Sequence, residues 1–306
     1  MNVDTAALRQ RAAPVVQRFE LTLAELRDRA RSLRPSSFTT AMSQVVAGAH
    51  AGDAAYIRWL ELLDERKAYH RKTWEWCYIM EALDRHHVLR SGQRVLGFGV
   101  GREPIVPALA ALGVCVVATD QPSAQAGAWS TTGQHASELD ALRRPSVCPD
   151  DRFSRLVSFE PVDMTAIPQH LYGFDGLWSS CCFEHLGSPD AGFDFVMAAM
   201  DCLRPGGVAV HTTEFDCVDH VDLAVHGSVA AGDYVCFYRA RDLRRLVRRL
   251  RAAGHLVRCN FYVSSSHPSE RQIDVQPYTH DPHMRLRVGD RVMTSFGFEI
   301  VKGPRS

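Results

Sequence analysis

The stretch RVLGFGVGREPIVPALAALGVCVVATD, residues 94–120, decides how this chain is read. Arg94–Phe98 is a short apolar run that predicts a strand, and it leads directly into Gly97-Phe98-Gly99-Val100-Gly101. Glycines at such a place let the backbone turn sharply and let a ligand lie against bare main chain. Pro104 suits the first turn of a helix, and Ile105, Ala108, Leu109 and Leu112 form one apolar helical face after it. A second strand, Val114–Thr119, ends at Asp120, where an acid can accept hydrogen bonds from both hydroxyls of a ribose. The glycine spacing is G-x-G-x-G, not the G-x-G-x-x-G of dinucleotide sites. Glu103 would oppose a pyrophosphate at the helix start, but it can face a cationic amino group.

Strands and helices continue to alternate beyond this unit. Further strands are expected at Leu156–Pro161, Gly176–Ser180, Val208–Glu214, Leu256–Val263 and Val292–Val301. Leu243, Leu246, Val247 and Leu250 mark another helix at i, i+3, i+4 and i+7. The pattern predicts an α/β fold: a doubly wound, mostly parallel sheet of seven strands. The last two strands have no helix between them, so they are expected to form an antiparallel pair at the sheet edge, with the final strand antiparallel. Residues 1–90 read as an N-terminal helical extension or cap, and 91–306 as the ligand-binding domain. Between Asp53 and Leu83 the spacing is helical, with no Gly or Pro. That run carries Trp59, Tyr69, His70, Trp74, Trp76 and Tyr78. They pack a core face or cap a substrate pocket.

Composition narrows the class. Lys plus Arg and Asp plus Glu are 35 each, so bulk charge favours neither nucleic acid nor an anionic membrane. No apolar run reaches the length of a membrane span, and the N-terminus lacks the apolar core of a signal peptide. Nine cysteines, with no C-x-x-C pair, are expected to be reduced thiols in a cytoplasm.

Read together, VLGFGVG (95–101) and VVATD (116–120) resemble the first two motifs of class I S-adenosylmethionine-dependent methyltransferases. VDMTAIP (162–168), FDGLWSSCCFEHL (174–186) and AAMDCLRPGGVAVHTTEF (198–215) resemble later motifs in the same order. The ending, 238–257 and 283–301, resembles that of bacterial methyltransferases of glycan and natural-product pathways. The resemblance spans about residues 70–302. It implies S-adenosyl-L-methionine as cofactor, held by Gly97, Phe98, Gly99, Gly101, Glu103, Asp120, Gln121, Asp163, Met164 and Ser180, with Asp163 meeting the adenine amino group. One position departs: the family commonly has an acid where this chain has Gly97. Glu103 or a backbone carbonyl then takes over the methionine amino group.

The function expected is methyl transfer to a small molecule or sugar, with a hydroxyl as the leading acceptor and the methylated atom not fixed by the sequence. His185, just past the fourth strand of the main alternation, is the candidate general base, and Glu184 orients it or touches the acceptor. His211, Glu214, Asp216, Asp219, His220, Asp222 and His226 match no metal motif, so no metal is expected; a solvated loop accounts for them. His280-Asp281-Pro282-His283 reads as a surface turn. The Arg-rich helix 239–251 reads as an amphipathic surface helix without nucleic acid. Homo-oligomerisation stays open. The competing readings are an NAD-dependent oxidoreductase and a noncatalytic S-adenosylmethionine-binding module.

Overall fold

The computed structural model describes residues 18, 20–123, 133–217, 235–278 and 281–304. Among the described residues ten strands build one sheet: β1 (Ser43–Val45), β2 (Arg94–Phe98), β3 (Cys115–Asp120), β4 (Val157–Pro161), β5 (Phe174–Ser180), β6 (Leu203–Asp216), β7 (Leu256–Val257), β8 (Cys259–Asn260), β9 (Leu286–Val288) and β10 (Arg291–Val301). The order is β4-β3-β2-β5-β6-β10-β1-β8, with β7 and β9 also pairing with β10. From β4 to β6 every pairing is parallel, and β10 runs antiparallel to β6. Helices connect the parallel strands: α3 (Ile105–Ala111) between β2 and β3, α4 (Asp150–Leu156) between β3 and β4, and α5 (Pro189–Ala199) between β5 and β6. The expected α/β class and the antiparallel last strand are both present, but β10 lies inside the sheet between β6 and β1, not at its edge, because the short β1 of the N-terminal part pairs along its far side. The strand count rises above seven because β1 and β9 are too short to show a period, and the expected strand Leu256–Val263 is split into β7 and β8.

Ahead of β2 lie α1 (Ala54–Leu62) and α2 (Arg71–Arg85). The sequence presents these as one helical run; the structure breaks it at Asp64, whose φ is 54°. Glu65 N–H donates to Leu60 C=O (2.9 Å), so this end has the backbone pattern of a Schellman cap with Asp in glycine's usual place. α2 then packs on β5, β6 and β10. Its Trp74 and Tyr78 are buried and stacked, 4.9 Å between centroids. Tyr78 Oη donates to Met42 C=O and Gly297 C=O, tying α2 to the start of β1 and to β10.

After β6, α6 (Ala240–Ala252) buries Leu243, Leu246, Val247 and Leu250, each of which stabilises the fold by about 1.5–3 kcal/mol. Its arginines face acids: Arg245 meets Asp190, Arg249 meets Asp194, Arg248 meets Glu25 and Arg251 meets Asp28. Among the described residues no helix is long and apolar enough to cross a membrane. All nine cysteines are free thiols.

Candidate functional site

The sheet order places β2 at the point where the chain turns from one half of the sheet to the other: β3 lies on one side of it and β5 on the other. In open α/β sheets ligands sit at the carboxyl ends of the strands at such a point. Gly99 and Gly101 follow β2 with φ of +56° and +52°, a conformation that side chains rarely adopt. A Cβ on Gly99 would lie 2.7 Å from Cys182 Sγ and 3.7 Å from Met164 Sδ. Gly99, Met164 and Cys182 therefore come together from three separate stretches of sequence.

Asp120 ends β3 and clamps this turn. Its Oδ2 accepts from Gly101 N–H (3.1 Å) and Ala136 N–H (3.0 Å), and its Oδ1 accepts from Gln121 N–H (2.8 Å). Burial pushes the carboxyl above its usual range, and those N–H groups oppose the rise. His135 joins the frame through Nε2 and the Gln121 carbonyl oxygen (2.8 Å). The His135–Ala136 segment carries no sequence motif and was missed. Asp163 folds back on its own turn, accepting from Thr165 N–H (2.8 Å) and Thr165 Oγ1–H (2.7 Å).

Gly97 has a different neighbour from the loop glycines. It pairs with Trp178 across β2 and β5, and a Cβ on it would fall 2.4 Å from the indole. The acid that the resemblance leads one to expect at this position is replaced by room for Trp178.

The charged part of the site is built largely by α2, whose sequence shows an aromatic-rich helix for packing a core face or capping a pocket. Glu75 is fully buried and is the hub. It accepts from Arg71 (3.2 Å), Lys72 (3.3 Å), Cys181 (3.1 Å), Thr212 (3.2 Å) and Ser295. Burial acts to raise its pKa, yet Lys72 and Arg71 hold it below the usual carboxylate range. Arg71 also grips Glu214, at the end of β6. Lys72 Nζ reaches Glu103 Oε1 on the glycine loop (2.9 Å) and Ser180 Oγ at the end of β5 (3.1 Å). Burial would lower the Lys72 pKa, but Glu103 and Glu75 outweigh it and keep the ammonium charged. Of Tyr69, His70 and Trp74, Trp74 belongs to the core, His70 stacks on His283 (4.5 Å) and Tyr69 stacks on His267 (5.1 Å). Burial lowers the His70 pKa to about 4, with His283 and Arg71 adding to the effect.

His185 and Glu184 lie on the single 3-10 turn Phe183–His185 after β5, at the same end of the sheet. His185 is half-buried. Glu184 is sealed from solvent: one oxygen accepts from Glu214 N–H (3.2 Å), and burial pushes its pKa up to about 7. Ligand atoms of Cys181, Glu184 and Glu214 lie within 4.8 Å of one another, a spacing that a metal ion can bridge. Each already has a protein partner: Cys181 has Glu75, Glu214 has Arg71, and Glu184 has the Glu214 N–H.

The remaining acids and imidazoles of the β6 region disperse. His211 lies inside the sheet with its Nδ1 2.8 Å from Ser179 Oγ and its ring between Phe183 and Phe195. Burial drops its pKa to about 3, so it stays neutral. Asp216 pairs with Arg291 (2.7 Å). Asp219, His220, Asp222, His226 and His280 lie outside the described residues. His283 pairs with Asp274 (2.5 Å).

No protein-family model matches the chain, and no curated protein matches it. Similar solved structures include a DhpI-SAH complex, at 18% identity over 73% of this chain and 83% of that one with a TM-score of 0.40. The CcbJ methyltransferase from Streptomyces caelestis is 16% identical over 73% of this chain and 94% of its own, TM-score 0.40. An S-adenosylmethionine-dependent methyltransferase from Clostridium acetobutylicum is 10% identical over 83% and 94%, TM-score 0.43. Likenesses this distant carry no functional argument.

Proposed function

We propose that this chain is an S-adenosylmethionine-dependent methyltransferase acting on a small-molecule or sugar acceptor, with a hydroxyl as the leading target. The observation that carries the reading is the glycine turn at the sheet's switch point, faced by Asp120 on one side and Glu103 on the other. The donor set suits the cofactor. An ionised carboxylate offers about four lone-pair sites, and Asp120 uses three of them within the protein, leaving capacity for a ribose hydroxyl. Gly99 keeps bare backbone beside Met164 and Cys182. Glu103 already holds an ammonium group, that of Lys72, and a pyrophosphate there would meet its negative charge. This is why the reading is preferred to an NAD-dependent oxidoreductase.

S-adenosylmethionine, when bound, supplies a methyl group already activated as a sulfonium. What the protein adds is alignment, a water-poor setting and a place for the acceptor's proton. Asp120, Gly99, Met164 and Asp163 would hold the nucleoside end, with Phe98, Gln121 and Ser180 at the adjoining strand ends. His185 is assigned to take the acceptor proton, and Glu184 to hold the turn that presents it. Calorimetry of the intact protein against S-adenosylmethionine and NAD tests the reading. Binding of the first alone is expected, and Asp120→Ala should weaken it at least about tenfold, as losing one charge-assisted hydrogen bond of about 1.5–3 kcal/mol would do. Binding of NAD in preference would overturn it.

A further inference from the structure

We infer that the groove at the amino ends of β2, β3 and β4 is a binding site for a small phosphomonoester, separate from the glycine turn. Ser91 stands just ahead of β2, Gly113 just ahead of β3, and Leu156 where α4 gives way to β4. The glycine turn and Asp120 follow the opposite, carboxyl ends of β2 and β3. Strands of this length span about 17–20 Å, so a ligand in the groove shares none of the contacts at the glycine turn. The groove encloses about 450 Å³, within the range of about 300–1,000 Å³ typical of small-molecule sites. A water molecule takes about 30 Å³ of liquid, so a bare phosphate would leave most of this space unfilled.

The lining is that of an anion site. Gly113 has a φ of +90°, and the space its Cβ would take is 3.1 Å from Ser91 Oγ and 3.3 Å from Arg152 Nη2. A hydroxyl and a guanidinium therefore converge beside bare backbone, where glycine leaves room for a ligand to approach. Among the described residues Arg152 makes no ion pair with a carboxylate. Arg155 meets Asp151 at 3.6 Å, with side chains 71% and 76% exposed, a loose surface pair that Arg155 can exchange for a ligand. Two guanidinium groups against one carboxylate leave the groove positive. With the Ser91 hydroxyl they offer donors to the three terminal oxygens of a phosphomonoester, whereas a carboxylate has two oxygens in one plane. Asp151 then accepts from a hydroxyl on the ligand's body, and Pro149 and Leu156 give that body an apolar wall.

Calorimetry of the intact protein with glycerol 3-phosphate, glycerate and inorganic phosphate, at one ionic strength, tests the site. Glycerol 3-phosphate should bind, and the other two at least about threefold more weakly, the scale of one lost hydrogen bond. Arg152→Gln should weaken glycerol 3-phosphate at least about tenfold, as losing a charge-assisted contact does, and Ser91→Ala about twofold to tenfold. Ser91 is exposed and Arg152 half-buried, so an unchanged thermal transition is expected for both variants. Should Arg152→Gln fail to fold, Ser91→Ala decides alone. Absence of glycerol 3-phosphate binding at millimolar concentration overturns the site. So do variants that bind it as the wild type does, because the anion then sits elsewhere. Glycerate binding equally well overturns the assignment of a phosphate, and inorganic phosphate binding equally well overturns that of a ligand body.

Discussion

Gly97 and Trp178 account for each other across the β2–β5 pair. The indole occupies the volume that any side chain at 97 would need. Gly97→Ala should therefore overpack the site and cost about 1–3 kcal/mol, read from urea denaturation. Trp178→Phe in that background should recover part of the loss, giving a non-additive cycle. A Gly97→Ala protein as stable as the wild type would show that the indole has room to move. Glu184 makes a prediction of its own. The group titrates near 4.5 when unfolded and near 7 in the fold, so the folded state holds an extra proton between those values. Stability contributed by the protonated group is lost as pH rises through that window. Glu184→Gln, which keeps an acceptor for the Glu214 N–H, should gain stability relative to the wild type between pH 5 and pH 8. A difference that does not vary with pH would count against the buried, proton-holding carboxyl. For His185, we expect His185→Ala to lower kcat by about 10²–10⁴ and to remove a histidine-like limb from the pH–rate profile, with cofactor affinity little changed. A variant that keeps its rate but binds cofactor poorly would make His185 a cofactor contact.

At the scale of elements, α2 is the unit to test, because its first turns carry Arg71, Lys72 and Glu75 into the site while its aromatic residues anchor it to the sheet. Glu75→Ala would leave two partly buried cations without their shared carboxylate, a loss of about 3–5 kcal/mol at neutral pH. The sign of the pH effect follows from the depressed pKa of Glu75. Its stabilisation is present above the ordinary carboxylate value and is lost as pH falls through the lower folded one. The gap between wild type and Glu75→Ala should thus narrow in acid, which denaturation at pH 7 and pH 3 measures. The helical character of residues 54–85 was legible from apolar spacing. The break within it was not, because Asp64 stands in the left-handed position that glycine usually announces. The ionic hub was also hidden: its members are separated by more than 200 positions, from Arg71 to Ser295, and no local period links them.

Taken whole, the N-terminal part is joined to the main sheet through β1 and α2. β1 lies between β10 and β8, and α2 packs against three strands of the main sheet. Removing residues 1–80 should expose β10 and abolish cooperative folding, seen as loss of a sharp thermal transition by circular dichroism. A truncated protein that still melts cooperatively would restore the view of the extension as a separable cap. Sequence alone determined the parallel core, because Arg94–Phe98, the Gly99–Gly101 turn and the strand ending at Asp120 are local signals: periodicity, positive-φ glycines and a terminal acid, all within 27 residues. For Glu103 it left a cationic amino group of the ligand as one possible partner. Only the tertiary structure decided that Lys72 lies against Glu103, that Trp178 fills the volume beside Gly97, that His211 is sealed in the sheet, and that a helix from the extension brings Arg71, Lys72 and Glu75 into the site. Each of these depends on side chains brought together across sheet pairings and helix packing. Burial and Coulomb balance there are set by neighbours distant in the chain, which no pattern along it encodes.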